Sequence, residues 1–148
     1  MTETDSKPRV LFLCTHNAAR SQIAEAFLRH YAGDRFEVLS AGLAPTQVHP
    51  LTRQVLTETG LDPSGLHAKS LNEFLGRVSI YYAIIVCDEA EEHCPRLYPF
   101  ALETLYWPFD DPTQATGSRE ECLRTFRNIR DQIAHRVRAW LDTLEDSD

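Results

Sequence analysis

The stretch Val10-Leu11-Phe12-Leu13-Cys14-Thr15-His16-Asn17-Ala18-Ala19-Arg20-Ser21 decides how this chain is read. Its first five residues are a near-continuous apolar run, the pattern of a parallel strand covered on both faces. Beyond Arg20 the period changes. Ile23, Phe27 and Tyr31 recur every four residues, with Ala24 and Leu28 beside them and Gly33 as a stop. A strand therefore ends at Cys14, a helix spans 20–32, and the residues between make the corner. Such a corner is an anion cradle, because loop N–H groups and the helix N-terminus converge with partial positive charge. The same charge favours a cysteine thiolate, the form that acts as a nucleophile. Arg20 adds a planar fork matching two oxygens of a tetrahedral oxyanion. Ser21 is placed to donate its hydroxyl to the Cys14 sulfur, and Asn17 suits a left-handed backbone at mid-loop. The bland alternative, a buried strand-end thiol followed by a surface arginine, leaves the shared strand–helix corner unexplained.

Outward from this corner, strand and helix patterns alternate to the end of the chain. Residues 36–41 read as a second strand, and Pro50 opens a helix to about residue 60 with Leu51, Val55 and Leu56 inward. Residues 61–70 read as a loop, and 71–76 as one or two helical turns. The run 82–87 is a second fully apolar strand, a short helix is expected over 89–94, and 104–107 reads as a last strand. Cys122, Phe126, Ile129, Ile133, Val137, Trp140 and Leu144 fall at helical spacing over 119–144. The alternation predicts an α/β fold with a parallel sheet and helices on both faces. Ligands of such sheets bind beyond the carboxyl ends of the strands, where Cys14 and Cys87 both fall. One domain over 9–144 is expected, between a polar tail of residues 1–8 and a short tail of 145–148.

The bulk numbers fit one soluble domain: 148 residues, 43% hydrophobic and 25% charged. A net charge of −7 argues against a nucleic-acid partner but not against a small oxyanion, which responds to local loop dipoles. No apolar run approaches the ~18–20 residues of a membrane span, so no membrane association is expected. Four cysteines behind a polar start, without a secretion-signal pattern, suggest reduced thiols and a cytoplasmic location.

Two further constellations carry chemistry. The first is Cys87-Asp88-Glu89-Ala90-Glu91-Glu92-His93-Cys94-Pro95, in which Asp88 and Glu91 resemble a capping box. Seven residues of helix separate two α-carbons by about 10 Å along the axis. A disulfide needs them within about 7 Å. Pairing Cys87 with Cys94 therefore requires the helix to unwind, and Pro95 makes it easy to lose. Buried thiols, or a partial metal site with His93, are the competing readings; His93 and Cys94 point different ways on a helix, which weakens the metal site. The second constellation is Trp107-Pro108-Phe109-Asp110-Asp111-Pro112. A carboxylic acid in an aromatic, proline-stiffened loop suits general-acid work, although Asp-Pro is equally a common turn start. Cys122 sits on the apolar stripe of the last helix and reads as a core thiol. His30, His49, His67 and His135 have no partner identifiable from sequence.

With these elements in order, the chain resembles the low-molecular-weight tyrosine phosphatase superfamily and, within it, the thiol-linked arsenate reductases. The resemblance runs from about Arg9 to Leu144. It rests on Cys14 to Gln22, on Ala24-Glu25, on Ser40-Ala41-Gly42, on Cys87 and Cys94 with Pro95, and on Phe109-Asp110-Asp111-Pro112. Phosphatases of the group typically carry Arg-Ser-Pro after the loop and lack the second cysteine pair. The resemblance implies a single three-layer domain with a four-stranded parallel sheet. It implies that Cys14 attacks arsenate held by Arg20 and by the loop Thr15, His16, Asn17, Ala18, Ala19, Arg20 and Ser21, while Asp111 protonates the leaving oxygen. It further implies a Cys14–Cys87 and then a Cys87–Cys94 disulfide, the latter reduced by thioredoxin. A phosphatase acting through a Cys14 phosphoenzyme is the alternative. No cofactor is implied. His16 stands where the family usually has glycine, which tightens the loop or adds a donor over the oxyanion. Some relatives bind potassium near the loop; Asn17, Glu25 and Ser40 match that site, but its other ligands are missing around 68–70, and no metal is expected.

Overall fold

The computed structural model describes residues 7–88, 90–91, 94–95 and 98–146. Four strands, β1 (Arg9–Cys14), β2 (Glu37–Gly42), β3 (Ile80–Ile85) and β4 (Ala101–Tyr106), form one parallel sheet in the order β2-β1-β3-β4. Three helices accompany them: α1 (Arg20–Ala32), α2 (Pro50–Glu58) and α3 (Arg119–Asp146). β1 is central, and from Val10 to Cys14 every residue is buried, as its uninterrupted apolar run requires. α1 joins β1 to β2 and packs on both, while the β2–β3 connection carries α2, which packs against α1. α3 returns to pack along α1 and α2.

Phe12, Leu13, Ile23, Leu28, Ile84, Ile85 and Ile133 fill the core, each burial contributing about 1.5–3 kcal/mol. Trp107 and Trp140 close its edge with ring centroids 5.8 Å apart. A smaller cluster of Ala19, Leu51, Val55, Leu123 and Phe126, with Cys122 packed against it, joins α2 and α3 to the base of the corner after β1. On the outside of that joint Glu58 clamps α2 to α3, accepting from Arg127 Nη2 at 2.8 Å and Arg130 Nη1 at 2.9 Å.

Several boundaries differ from the sequence reading. β3 ends at Ile85 rather than Cys87, although Val86 still donates to the Leu13 carbonyl at 2.9 Å. β4 begins at Ala101, three residues earlier than the apolar pattern indicated. As an edge strand it leaves Leu102 75% exposed, and so carries no continuous apolar signal. Residues 71–76 hold a single 3-10 turn, Leu71–Glu73, capped by the Ser70 hydroxyl. α2 stops at Glu58, and Gly60 takes a positive φ of 87° just beyond it. The helix expected over 89–94 is absent among the described residues there. Ala90 and Glu91 lie in turn and bend, while Glu89, Glu92 and His93 fall outside the described residues. Among the described residues no helix is long and apolar enough to cross a membrane.

Candidate active site

The corner between β1 and α1 is held from behind. The carbonyl of Cys14 accepts from Leu43 N, Thr15 from Ala44 N, His16 from Thr46 N, and Ala18 from both His49 N and the Thr52 hydroxyl. The Asn17 carbonyl accepts from Gln22 Nε2 at 3.0 Å. In a trans peptide the carbonyl and the following N–H point opposite ways. Tying these carbonyls outward therefore turns the amides of 15–19 toward the cradle. Asn17, at φ 54°, makes the left-handed step this needs. α1 begins without a side-chain cap and without an acidic residue in its first turn, so its N-terminal N–H groups remain available to an anion.

Cys14 lies at the floor of the cradle, 2% exposed. Its sulfur accepts from Asn17 N at 3.3 Å and contacts Ser21 Oγ at 2.9 Å. Asn17 Nδ2 donates to both Ser21 Oγ (2.7 Å) and Ser40 Oγ (3.0 Å), and Ser40 in turn donates to Glu25. Because Ser21 Oγ accepts from Asn17, its own hydrogen is free to point at the sulfur, as a thiolate requires. The Asn17 Oδ1 accepts from Gln22 Nε2 and from Lys69 N, both at 2.8 Å, which fixes the amide's orientation. The buried Lys69 ammonium stands 3.7 Å from Glu25 and donates to the His67 carbonyl. Burial lowers its pKa, and the Glu25 charge opposes that shift.

Arg20 is buried at the opposite wall, and its fork is occupied. Nη1 donates to Glu91 Oε2 at 2.6 Å and to the Phe109 carbonyl at 3.0 Å; Nη2 donates to Glu91 Oε1 at 2.9 Å. Asp111 Oδ2 lies 3.6 Å from the same Nη2. Burial works to lower the Arg20 pKa, but the Glu91 hydrogen bond and the charges of Cys14 and Asp111 raise it on balance. Conversely, burial works to raise the Glu91 pKa and is outweighed by Arg20, the Asp88 N–H and the Thr15 hydroxyl, so it is lowered. Asp111 is held in place by Thr113, whose N–H and hydroxyl both donate to Oδ1. The loop carrying it follows the end of β3, through Trp107 N to Ile85 O and Phe109 N to Val86 O. That is why a residue from beyond β4 reaches Arg20. Asp111, rather than its neighbour Asp110, faces the cradle.

Cys87 and Cys94 are joined by a disulfide, with α-carbons 5.8 Å apart, and both are buried. β3 is next to β1, and Cys87 follows Val86 past the Leu13↔Ile85 pair, so it emerges on the same rim of the sheet as Cys14. Asp88 and Glu91 keep capping-box contacts without a helix: Asp88 N donates to Glu91 Oε2 at 3.1 Å, and Ala90 N to Asp88 Oδ1 at 2.9 Å. In front of the cradle opens a cleft of about 590 Å3, bordered by Thr15, His16, Asp88, Glu91, Asp110 and Asp111.

The expected residues thus gather at one rim. His16 contacts the Ala44 carbonyl through Nδ1 at 2.9 Å, which ties the loop back through a side chain as well. Cys122 is half-buried, its sulfur 3.7 Å from the Ala115 carbonyl. Gln22 belonged to the resemblance, as Arg-Ser-Gln in place of Arg-Ser-Pro. Three other contributors carried no readable signal. Lys69 and Thr113 act through contacts or turns that no spacing announces. His49, which had no assignable partner, caps α2 through Nδ1, accepting from Leu51 N at 3.0 Å. Burial lowers its pKa, partly offset by the charge of Asp111. Among the described residues no cluster of three or more His, Cys, Asp or Glu is arranged to hold a metal ion.

A parallel sheet in this order, with a cysteine–arginine anion loop after its central strand, defines the class. The chain belongs to the low molecular weight phosphotyrosine protein phosphatase family, whose model matches residues 9–148. Within that family it is similar to arsenate reductases. It is 35% identical over 145 residues to the arsenate reductase of Shouchella clausii (strain KSM-K16), covering 95% of this chain and 99% of that protein. It is 32% identical over 135 residues to that of Bacillus subtilis (strain 168), covering 90% and 95%. Among solved structures, an arsenate reductase in the phosphate binding state superposes with a TM-score of 0.76 at 26% identity, covering 92% of this chain and 98% of that one. The Corynebacterium glutamicum thioredoxin-dependent arsenate reductase superposes at 0.69 with 32% identity, covering 96% of this chain and 64% of that one.

Proposed function

We propose that this chain reduces arsenate to arsenite through a relay of three cysteines. One observation carries the reading: a cysteine pair able to form a disulfide shares a rim with a sulfur seated in an anion loop. Hydrolysis of a phosphate ester needs the loop but has no use for the pair. Arg20 and the loop 15–21 hold arsenate, and the Cys14 thiolate attacks arsenic. An arsenate oxygen leaves as water, taking its proton from Asp111. Cys87 then attacks the Cys14 sulfur. The sulfur–arsenic bond breaks with its electron pair left on arsenic, which departs as arsenite, and a Cys14–Cys87 disulfide remains. Cys94 attacks Cys87, frees the Cys14 thiolate and closes the Cys87–Cys94 disulfide. Thioredoxin supplies the two electrons and two protons that reopen it. A cycle of this kind suits the reducing cytoplasm.

The test follows NADPH consumption with arsenate, thioredoxin and thioredoxin reductase. Arsenate-dependent turnover is expected for the wild type and is lost in Cys14→Ser, Cys87→Ser and Cys94→Ser. Turnover that survives loss of Cys94 assigns reduction to a low-molecular-weight thiol instead. Absence of turnover, with phosphate-ester hydrolysis intact in Cys87→Ser, overturns the reading in favour of a phosphatase.

A further inference from the structure

We infer that Glu91 is a built-in anion that closes the oxyanion cradle while Cys87 and Cys94 are disulfide-bonded, and that reducing this disulfide opens it. The Glu91 carboxylate receives the donors an oxyanion seeks: both Nη groups of Arg20 at 2.6 and 2.9 Å, the Asp88 N–H at 3.1 Å and the Thr15 hydroxyl at 3.3 Å. Nη1 is also spent on the Phe109 carbonyl, and Nη2 faces Asp111. An incoming tetrahedral anion gains the bidentate fork only by displacing Glu91. The space left agrees. The pocket bounded by Cys14, His16, Arg20 and Asp111 holds about 10 Å3, the room of a single water at most.

The plug and the disulfide belong to one short segment, and this couples them. Glu91 lies between Cys87 and Cys94, whose α-carbons the bond holds 5.8 Å apart. Reduction, by two electrons and two protons, yields two thiols and removes that restraint. A helix over this stretch would separate the α-carbons by about 10 Å. The capping contacts between Asp88 and Glu91 are already in place to start one. As the segment lengthens, Glu91 is carried off Arg20. Linkage makes the effect reciprocal: if the disulfide weakens oxyanion binding, a bound oxyanion weakens the disulfide to the same degree. The product of the relay is thereby kept from rebinding oxyanion until it has been reduced.

The inference rests on the cradle being an oxyanion site, and its test uses inorganic phosphate so that arsenate chemistry does not enter. Phosphate binding is measured calorimetrically on the full chain, both reduced and oxidised, with the Cys87–Cys94 bond verified by peptide mapping. Oxidised wild type is expected to bind at least about tenfold more weakly than reduced. Oxidised Glu91→Gln and Glu91→Ala are expected to regain the reduced affinity within about threefold. Saturating phosphate should also raise the midpoint potential of the pair by about 30 mV per tenfold difference in affinity, and leave it unmoved in Glu91→Ala. Equal phosphate affinity in the two wild-type forms, or oxidised Glu91→Ala binding as weakly as oxidised wild type, overturns it. Gated phosphate binding without arsenate turnover would sink the proposed function and leave the gate standing; turnover with ungated binding does the reverse.

Discussion

Asn17 uses all its side-chain hydrogen-bonding capacity: two donors to Ser21 and Ser40, and two acceptor sites to Gln22 and Lys69. This makes the Ser21 hydroxyl a directed donor to Cys14 rather than a free rotor. A hydrogen bond to a charged partner contributes about 1.5–3 kcal/mol. Ser21→Ala should therefore slow alkylation of reduced Cys14 by iodoacetamide at neutral pH by about tenfold or more, read peptide by peptide in the mass spectrometer. An unchanged rate would mean that the sulfur does not depend on this donor. At this scale the sequence was readable where chemistry and spacing are local, as in Cys14, Asn17, Arg20 and Ser21. Lys69 reaches Asn17 across 52 residues and Glu91 reaches Arg20 across 71, distances over which no periodicity carries information. Their parts depend on where two unrelated loops meet.

The elements were legible where one face is buried outright. β1, α1 and α3 emerged close to their observed bounds, because five-residue apolar runs and long helical stripes tolerate few alternatives. β4 was half visible, since an edge strand with an exposed middle has no apolar pattern to display. At Asp88 and Glu91 the capping signal was real, for its contacts exist, but the disulfide holds the Cys87 and Cys94 α-carbons 5.8 Å apart, closer than the ~10 Å a helix would set. Gly42 ends β2 directly behind the anion loop, where a Cβ would stand 2.7 Å from the Thr15 carbonyl oxygen and 2.9 Å from Asn17 N. Gly42→Ala must push backbone against backbone. The expected result is loss of most phosphate affinity with the fold retained, visible as weak binding beside a native circular dichroism spectrum. The α2–α3 clamp gives a pH test. Arg127 hydrogen bonding holds the Glu58 pKa down at about 2 despite slight desolvation. A depressed carboxylate contributes stability above its unfolded pKa of about 4.5, and loses it as pH falls toward 2. Glu58→Gln should accordingly cost about 1 kcal/mol at pH 7, after allowance for solvent screening. In urea melts that difference should shrink below pH 4.5 and vanish only as the pH falls through about 2.

The whole molecule carries −7 charges, and Asp88, Glu91, Asp110 and Asp111 border the cleft leading to a site for anions. The cradle's donors act only at contact, whereas approach is governed by this longer-ranged field. Salt should therefore assist. Between 10 and 150 mM sodium chloride, kcat/KM for arsenate is expected to rise by about two- to fivefold as the repulsion is screened. A fall with salt would mean that the local dipoles dominate even the approach. Composition made the net sign readable, but not the gathering of four carboxylates at one mouth, because two separate connections, β3 to β4 and β4 to α3, supply them. The outward-tied carbonyls of the anion loop have a consequence for how this protein can vary. Residues 43–52 hold that loop through its backbone, so the identity of Ala18 or Ala19 matters less than the count of residues opposite them. A library built here should accept Ala18→Ser and many other replacements, yet reject a single insertion between 43 and 49. The site is specified by length before it is specified by letter.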